Sequence, residues 1–476
     1  MIDRLKPYPE YKDSDQTWLG FVPRHWPLLP NRALFAEVKD RDHINEEMLS
    51  VTITKGIVRQ ETLLSNSSKK DSSRQDKSAY KLVQPHDIAY NKMRAWQGAI
   101  GVSDLRGIIS PAYIVMRLRE EQNARYFHHL YRTPYFAKEA ERWSYGITSD
   151  MWSLRPEHFK MIYSALPPRD EQDAIGRFLD HANARIERAI RVKKKLILLL
   201  NEQKQAIIHH AVTRGLNPNV LLKPSGIPWL GDIPKHWDVQ RLGRLLQLLT
   251  GYPFSSGGFL QSEDQVRLLR GINVTPSGVR WDIVVRWKRK PGDGLDEFAL
   301  KVGDIVLGMD RPIIASGIRA AAITEKDTPS LLLQRVARLR PTDKLDAKFL
   351  LLLLRGRLFS DYIAPIFTGI SVPHLSPEQI RGFKVMLPPL KEQEAIVKLV
   401  DAETATLNSA IERAEREIAL LREYRTRLVA DVVTGKLDVR AAARHLRVEA
   451  AEPQAAVAAE DFGDETELES TSKEDE

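Results

Sequence analysis

A nine-residue phrase, WLGFVPRHW at residues 18–26, returns as WLGDIPKHW at residues 229–237. Trp18, Leu19, Gly20, Pro23, His25 and Trp26 are answered in order by Trp229, Leu230, Gly231, Pro234, His236 and Trp237. Three more anchors follow in the same order. ARYFHHLYRTPYFAKEAERWSYGI from Ala124 aligns with AKFLLLLLRGRLFSDYIAPIFTGI from Ala347 at an offset of 223. SLRPEHF from Ser153 aligns with HLSPEQI from His374, and LPPRDEQDAI from Leu166 with LPPLKEQEAI from Leu387, both at an offset of 221. That second offset holds onward to VTRGL at Val212 and VTGKL at Val433. Register kept over such a length means one unit built twice: a variable segment of roughly 140 residues, a two-proline turn, then a long helix.

The tracts after the proline pairs have helical periodicity. In the second, Ile396, Val400, Glu403, Leu407, Ala410, Ala414, Ile418, Leu421, Tyr424, Leu428 and Val432 follow the three-four spacing of a coiled-coil seam, apolar except at Glu403. In the first, Ile175, Leu179, Ala182, Ile186, Ile190, Leu196, Leu200, Ile207 and Ala211 do so less regularly. Each tract opens with acidic residues, Asp170 and Glu171 or Glu392, as a helix dipole favours, and each stops at a glycine, Gly215 or Gly435. A rod of that kind would run roughly 60 Å and needs a partner. The chain supplies one, so the expectation is two antiparallel rods carrying two similar mixed α/β domains, an internal pseudo-two-fold repeat. Within the variable segments, VQPHDIAYNKM at Val83 and LKVGDIVLGMD at Leu300 read as a turn before a short strand. IISPAYIVMRLR at Ile108 and LLLQRVARLRP at Leu331 read as further strands, and residues 65–78 as a polar loop.

Charge narrows the functions such a frame serves. The chain carries +8 overall, yet residues 448–476 hold eleven acidic side chains and one lysine, which leaves +18 on residues 1–447. A body that basic attracts polyanions, nucleic acid before an anionic membrane surface. The tail reads as a solvated end. No cysteine is present, which removes disulfides and thiolate chemistry and suits a reducing interior. The longest apolar run, residues 349–354, is far shorter than the roughly 20 residues of a membrane span, so the reading is a cytoplasmic protein without a membrane partner.

Catalytic patterns are missing. No phosphate-binding G-x-x-x-x-G-K-[ST] loop, H-E-x-x-H helix or amino-methyltransferase tetrapeptide occurs; NPN at Asn217 lacks the second proline and the aromatic. The pairs His128-His129 and His209-His210 diverge on a helix and suit no metal. Asp87, Asp304 and Asp310 are the residue type a nuclease uses, but Asp87 and Asp304 stand before strands, where turn residues stand. What remains is recognition: two like modules with diverged interiors suit two places on one duplex, whose grooves recur about 34 Å apart on one face.

These motifs together, the paired WLG.(I/V)P.HW phrases, the two LPP..EQ.AI junctions and the closings VTRGL and VTGKLDVR, resemble the specificity subunit of type I restriction-modification systems, as far as about residue 440. The resemblance implies two target recognition domains that each read half of a split, asymmetric DNA sequence, and helices that fix the spacing and dock two modification (methyltransferase) subunits. It implies no catalysis in this chain and no cofactor of its own. S-adenosylmethionine would belong to the modification subunits, ATP and Mg to restriction/translocase subunits. The tail after residue 440 is outside the shared pattern.

The same resemblance sets the loop before each L.PE segment and the loop after each DI strand near DNA. In the first domain these are Lys92, Arg94, Gln97, Tyr145, Thr148 and Ser149; in the second they are Arg311, Thr368, Ser371 and His374. Arg bridges guanine O6 and N7, Gln pairs with adenine, and small hydroxyls serve several bases. Lys69, Lys70 and Arg74 are expected on phosphates. The four tryptophans read as framework, packing each opening segment against the rod of the other repeat. The expected organisation is an opening segment (1–26), a first recognition domain (27–168), a central rod (169–216), a linker with the repeated opening (217–237), a second recognition domain (238–389), a closing rod (390–437) and the acidic tail (438–476). The alternative is a coiled-coil scaffold that binds proteins and has no DNA specificity.

Overall fold

The computed structural model describes residues 5–64, 76–119, 122–146, 152–227, 230–314, 316–367, 373–444 and 446. They form two compact units, one built from residues up to 192 with those from 416 onward, the other from residues 193–415. The division runs through the middle of both long helices.

Each unit is built on a four-stranded antiparallel sheet. In the first unit β1 (Phe35–Val38), β2 (Ile88–Asn91), β3 (Ile100–Val102) and β4 (Tyr113–Leu118) lie in the order β1-β4-β2-β3. In the second, β5 (Leu246–Thr250), β6 (Ile305–Gly308), β7 (Ala320–Ala322) and β8 (Val336–Pro341) lie in the order β5-β8-β6-β7. The topology is the same, and so is the register: Asn91 pairs with Tyr113 as Gly308 pairs with Val336. The tracts read as single strands, from Ile108 and from Leu331, each divide. Gly107–Ile109 and Ser330–Leu332 join separate small sheets before the chain turns and re-enters the main sheet at β4 or β8.

Asp87 and Asp304 are turn residues of one design. Each carboxylate accepts the amide hydrogen three residues upstream, at 2.9 Å from Gln84 and 2.8 Å from Lys301. Each is then clasped by both arms of an arginine across the sheet, Arg117 or Arg340, at 2.7 and 2.8 Å. Two parallel charge-assisted bonds are the strong form of this pairing and neutralise each carboxylate within the sheet.

The long helices run Arg169–Arg214 and Leu390–Val433, and both contribute to each unit. In the first unit Ile175, Phe178, Leu179 and Ala182 share a core with Leu428, Val432 and Val433, and Glu187 pairs with Arg425. In the second Ile208, Ala211 and Val212 meet Ile396, Val397 and Val400, and Lys204 donates to Asn408 at 2.7 Å. Position rises along one helix as it falls along the other, so the pair is antiparallel. Three seam positions differ from the expected set, Tyr424 among them at 38% exposed. Glu403 is exposed and its neighbour Thr404 is buried, with its hydroxyl returned to the Val400 carbonyl at 2.7 Å; Leu196 is 45% exposed. A hydroxyl satisfied by its own helix can be buried where a carboxylate cannot.

The duplicated motifs are the joints of this frame. In LPP..EQ.AI the glutamines are completely buried. Gln172 Oε1 accepts the Asn123 amide at 2.9 Å, while Nε2 donates to the Pro167 carbonyl at 2.8 Å and to Gln122 at 2.6 Å. Gln393 repeats this on the Asp346 amide at 2.8 Å and on the carbonyls of Pro388 at 2.8 Å and Lys344 at 3.0 Å. Asn123 and Asp346 in turn cap the helices Ala124–Tyr131 and Ala347–Arg355. One glutamine therefore ties the rod to the sheet domain in each unit, because only an amide offers a donor and an acceptor side by side.

In the opening motif His25 sits 2.8 Å from Glu171, the acid of the rod's first turn, and Trp26 Nε1 donates to the same carboxylate at 2.9 Å. His236 and Glu392 repeat the first of these at 2.8 Å. Trp26 and Trp237 are fully buried, and each lies against the glycine that ends the other repeat's rod, Gly435 or Gly215. Those glycines have φ of +76° and +73°, and a Cβ there would sit 3.0 Å from the indole. Trp18 is buried beside Phe136, and Trp229 lies outside the described residues.

Candidate nucleic-acid interface

Sheet topology brings sequence-distant loops to one edge. In the first unit β2 ends at Asn91 and the chain turns through Lys92, Arg94 and a short 3-10 turn, Ala95–Gln97. Asn91 starts this turn, its side-chain oxygen accepting the Met93 amide at 3.0 Å. The Lys92 carbonyl then accepts the Leu154 amide at 2.8 Å, which joins the loop to the segment before the PEHF helix. Trp96 and Trp152 meet edge to face, 5.5 Å between centroids, and Tyr145 pairs with Ser153 through the backbone. Arg94, Gln97 and Tyr145 are exposed along this edge, and Lys92 is half-buried. The two expected loops of the first domain therefore lie together. Arg94 carries its charge close enough to Tyr113 to offset part of the rise that burial imposes on that phenol.

The second unit has the same joint. The Met309 carbonyl accepts the Leu375 amide at 2.8 Å, and the Arg311 amide donates to the Pro373 carbonyl at 2.8 Å. By sheet register Met309 stands where Lys92 stands, and Arg311 where Arg94 stands. Arg311 is exposed and has φ of +45°, a conformation that costs a residue with a side chain and that concentrates at functional loops. Asp310 is drawn into the joint by His374, whose Nδ1 lies 2.6 Å from its carboxylate. Among the described residues no group of three or more His, Asp or Glu side chains is arranged to hold a metal ion. No described helix is long and apolar enough to cross a membrane.

Arg335 is the residue that the sequence reading missed. It enters the second joint from a third loop, between Leu332 and Val336, with its Nη1 3.2 Å from His374 and 3.6 Å from Asp310. LLLQRVARLRP looks like one uninterrupted strand, and its break shows only in the structure. Lys69, Lys70, Arg74, Thr148, Ser149, Thr368 and Ser371 lie outside the described residues.

Comparison with known proteins follows the same outline. Residues 234–418 match the family described as the type I restriction modification DNA specificity domain. Over 286 residues the chain is 28% identical to the type I restriction enzyme MjaVIII specificity subunit of Methanocaldococcus jannaschii, covering 59% of this chain and 64% of that one. Over 178 residues it is 33% identical to the type I restriction enzyme EcoAI specificity subunit of Escherichia coli, covering 37% of this chain and 30% of that one. Both matches span less than two thirds of the relatives' lengths. A chain solved in work on complex assembly and conformational transition of the type I R-M system has a TM-score of 0.59 at 15% identity, over 87% of this chain and 99% of that one, a likeness of fold.

Proposed function

We propose that this chain, which belongs to the family of type I restriction-modification specificity subunits, is the DNA-reading subunit of such a complex and binds a split, asymmetric duplex target through one loop cluster in each unit. The observation that carries this reading is the repeated joint with unlike contents. The Leu154-to-Lys92 and Leu375-to-Met309 backbone bonds hold the same two loops together in both units, while the side chains on those loops diverge. Contacts to phosphate only position a protein, whereas base contacts specify, so a duplicated frame with diverged loops suits two different half-sites. The +18 on residues 1–447 supplies the attraction to phosphate that such a protein needs.

On this reading the chain performs no chemistry. Methylation of adenine, with S-adenosylmethionine, belongs to two modification subunits docked on it; ATP- and Mg-dependent translocation and cleavage belong to restriction subunits. The three carboxylates of the type a nuclease uses are engaged within the chain: Asp87 and Asp304 by arginines, Asp310 by His374. The test is selection of bound duplexes from a random pool by the full chain with its modification partner, followed by sequencing. A bipartite motif with a fixed gap is the expected result. Absence of any enriched motif would favour a protein-binding coiled-coil scaffold, and methylation or cleavage by the purified chain alone would overturn the assignment.

A further inference from the structure

We infer that Arg335 reads a guanine in the second half-site, through a third loop that the first unit does not use. The inference rests on the DNA-reading function proposed above and assigns one residue within it. Arg335 has φ of +68°, and with Arg311 it places two left-handed arginines at one joint. Its backbone is clamped on both sides: Gln334 donates to the Tyr252 carbonyl at 3.0 Å, and the Arg335 carbonyl accepts the Met309 amide at 2.9 Å. A backbone held in an unfavourable conformation by its neighbours marks a position where orientation of the side chain matters.

The side chain is held by one corner. At 2.6 Å from Asp310, His374 Nδ1 must donate its proton to the carboxylate, so it cannot also accept from Arg335. Asp310 is therefore the acceptor that both side chains approach, with Arg335 Nη1 3.6 Å away. Among the described residues Nε and Nη2 of Arg335 have no hydrogen-bonding partner, and the side chain is 59% exposed. The free edge offers two parallel N–H donors, the pair that fits guanine O6 and N7.

Comparison of the units favours a base over a phosphate. By sheet register the counterpart of Arg335 is Ala112, which has no donor to offer. The parts of this chain that position it are made twice, as the glutamine ties, the arginine-clasped turns and the loop joints are. A cation present at only one of the two joints belongs with the diverged, sequence-reading part.

The test uses the full chain with its modification partner, selecting duplexes from a random pool. Arg335→Gly preserves the loop, since glycine adopts the left-handed conformation without strain. Arg335→Lys preserves the charge but not the two-donor edge. Both variants should keep the first half-site motif of the wild type and lose preference at one guanine of the second, by about 5- to 150-fold against the other bases. An unchanged motif in Arg335→Gly would overturn the inference, and so would an unchanged motif in Arg335→Lys, which would make the residue a phosphate anchor. A wild-type pool without a split motif would overturn the DNA-reading function and this assignment together, whereas a split wild-type motif left unchanged at every base by either substitution overturns this assignment alone.

Discussion

Replacing Gln172 with Glu changes one donor nitrogen to oxygen and leaves the side chain's shape intact, so it isolates what the amide does. The acceptor half survives: the Asn123 amide still finds an oxygen at 2.9 Å. The donor half is inverted, and the new oxygen faces the Gln122 oxygen at 2.6 Å and the Pro167 carbonyl at 2.8 Å. Gln122 is partly exposed and can turn to water, but the buried Pro167 carbonyl cannot, and leaving it unmet costs about 1 to 3 kcal/mol. Burial of the introduced carboxyl beside two oxygens raises its folded-state pKa above the unfolded value near 4.3, and each unit of rise adds about 1.4 kcal/mol at neutral pH. For a rise of one unit, the total is about 2 to 4 kcal/mol at pH 8. The sign of the pH dependence is fixed: the pKa-linked part is absent below pH 4.3, grows as pH rises, and is complete above the folded-state pKa. Urea unfolding at pH 8 and pH 5 should show the deficit shrinking at the lower pH. Hydrogen exchange should speed at Asn123 and the start of its helix, and Gln393→Glu should do the same at Asp346. Wild-type exchange at Asn123 in the variant, or a deficit that grows towards pH 5, would refute the argument.

Three other outcomes follow from the same geometry. Trp26→Phe should cost about 1.5 to 3 kcal/mol more than Trp237→Phe, because Trp26 donates to a buried carboxylate whereas Trp237 Nε1 has no partner among the described residues; equal losses in thermal or urea unfolding would contradict this. In the first unit burial pushes both His128 and His129 down, with neighbouring cationic groups adding to it, and at His129 this outweighs the upward pull of Asp180. Both rings therefore take up protons at lower pH in the folded state than in the unfolded chain. Stability should be level above about pH 7 and fall below pH 6.5 by up to about 1.4 kcal/mol per pH unit for each histidine. The counterparts are Leu351 and Leu352, and in the second unit burial lowers His209 alone, so exchange rates corrected for intrinsic pH effects should report the larger loss in the first unit. Arg311→Gly should relax one base of the second half-site, at a different position from Arg335→Gly, with about 1 to 3 kcal/mol of selectivity lost; the same position from both would mean that one of them is misassigned.

The sequence by itself determined the plan: two like units, long helices with a three-four seam, glycine stops, and joints at LPP..EQ.AI and WLG.(I/V)P.HW. All of these are spacings along the chain, and helix periodicity, capping and a duplicated register are properties of one dimension. Even there Glu403 was read one residue off, since a seam position that must be filled looks the same in a pattern whether the residue itself or its neighbour turns inward. Tertiary structure decided what meets at the loop clusters. The β1-β4-β2-β3 order sets the end of β2 beside the segment before the PEHF helix, some 60 residues later, and its duplicate brings Asp310, Arg335 and His374 within 4 Å from three separate loops. Such meetings depend on which strands are neighbours and where each one breaks. Left-handed φ at Arg311 and Arg335 leaves no mark in the sequence, because it is imposed by the bonds on either side of each residue rather than favoured by the residue itself.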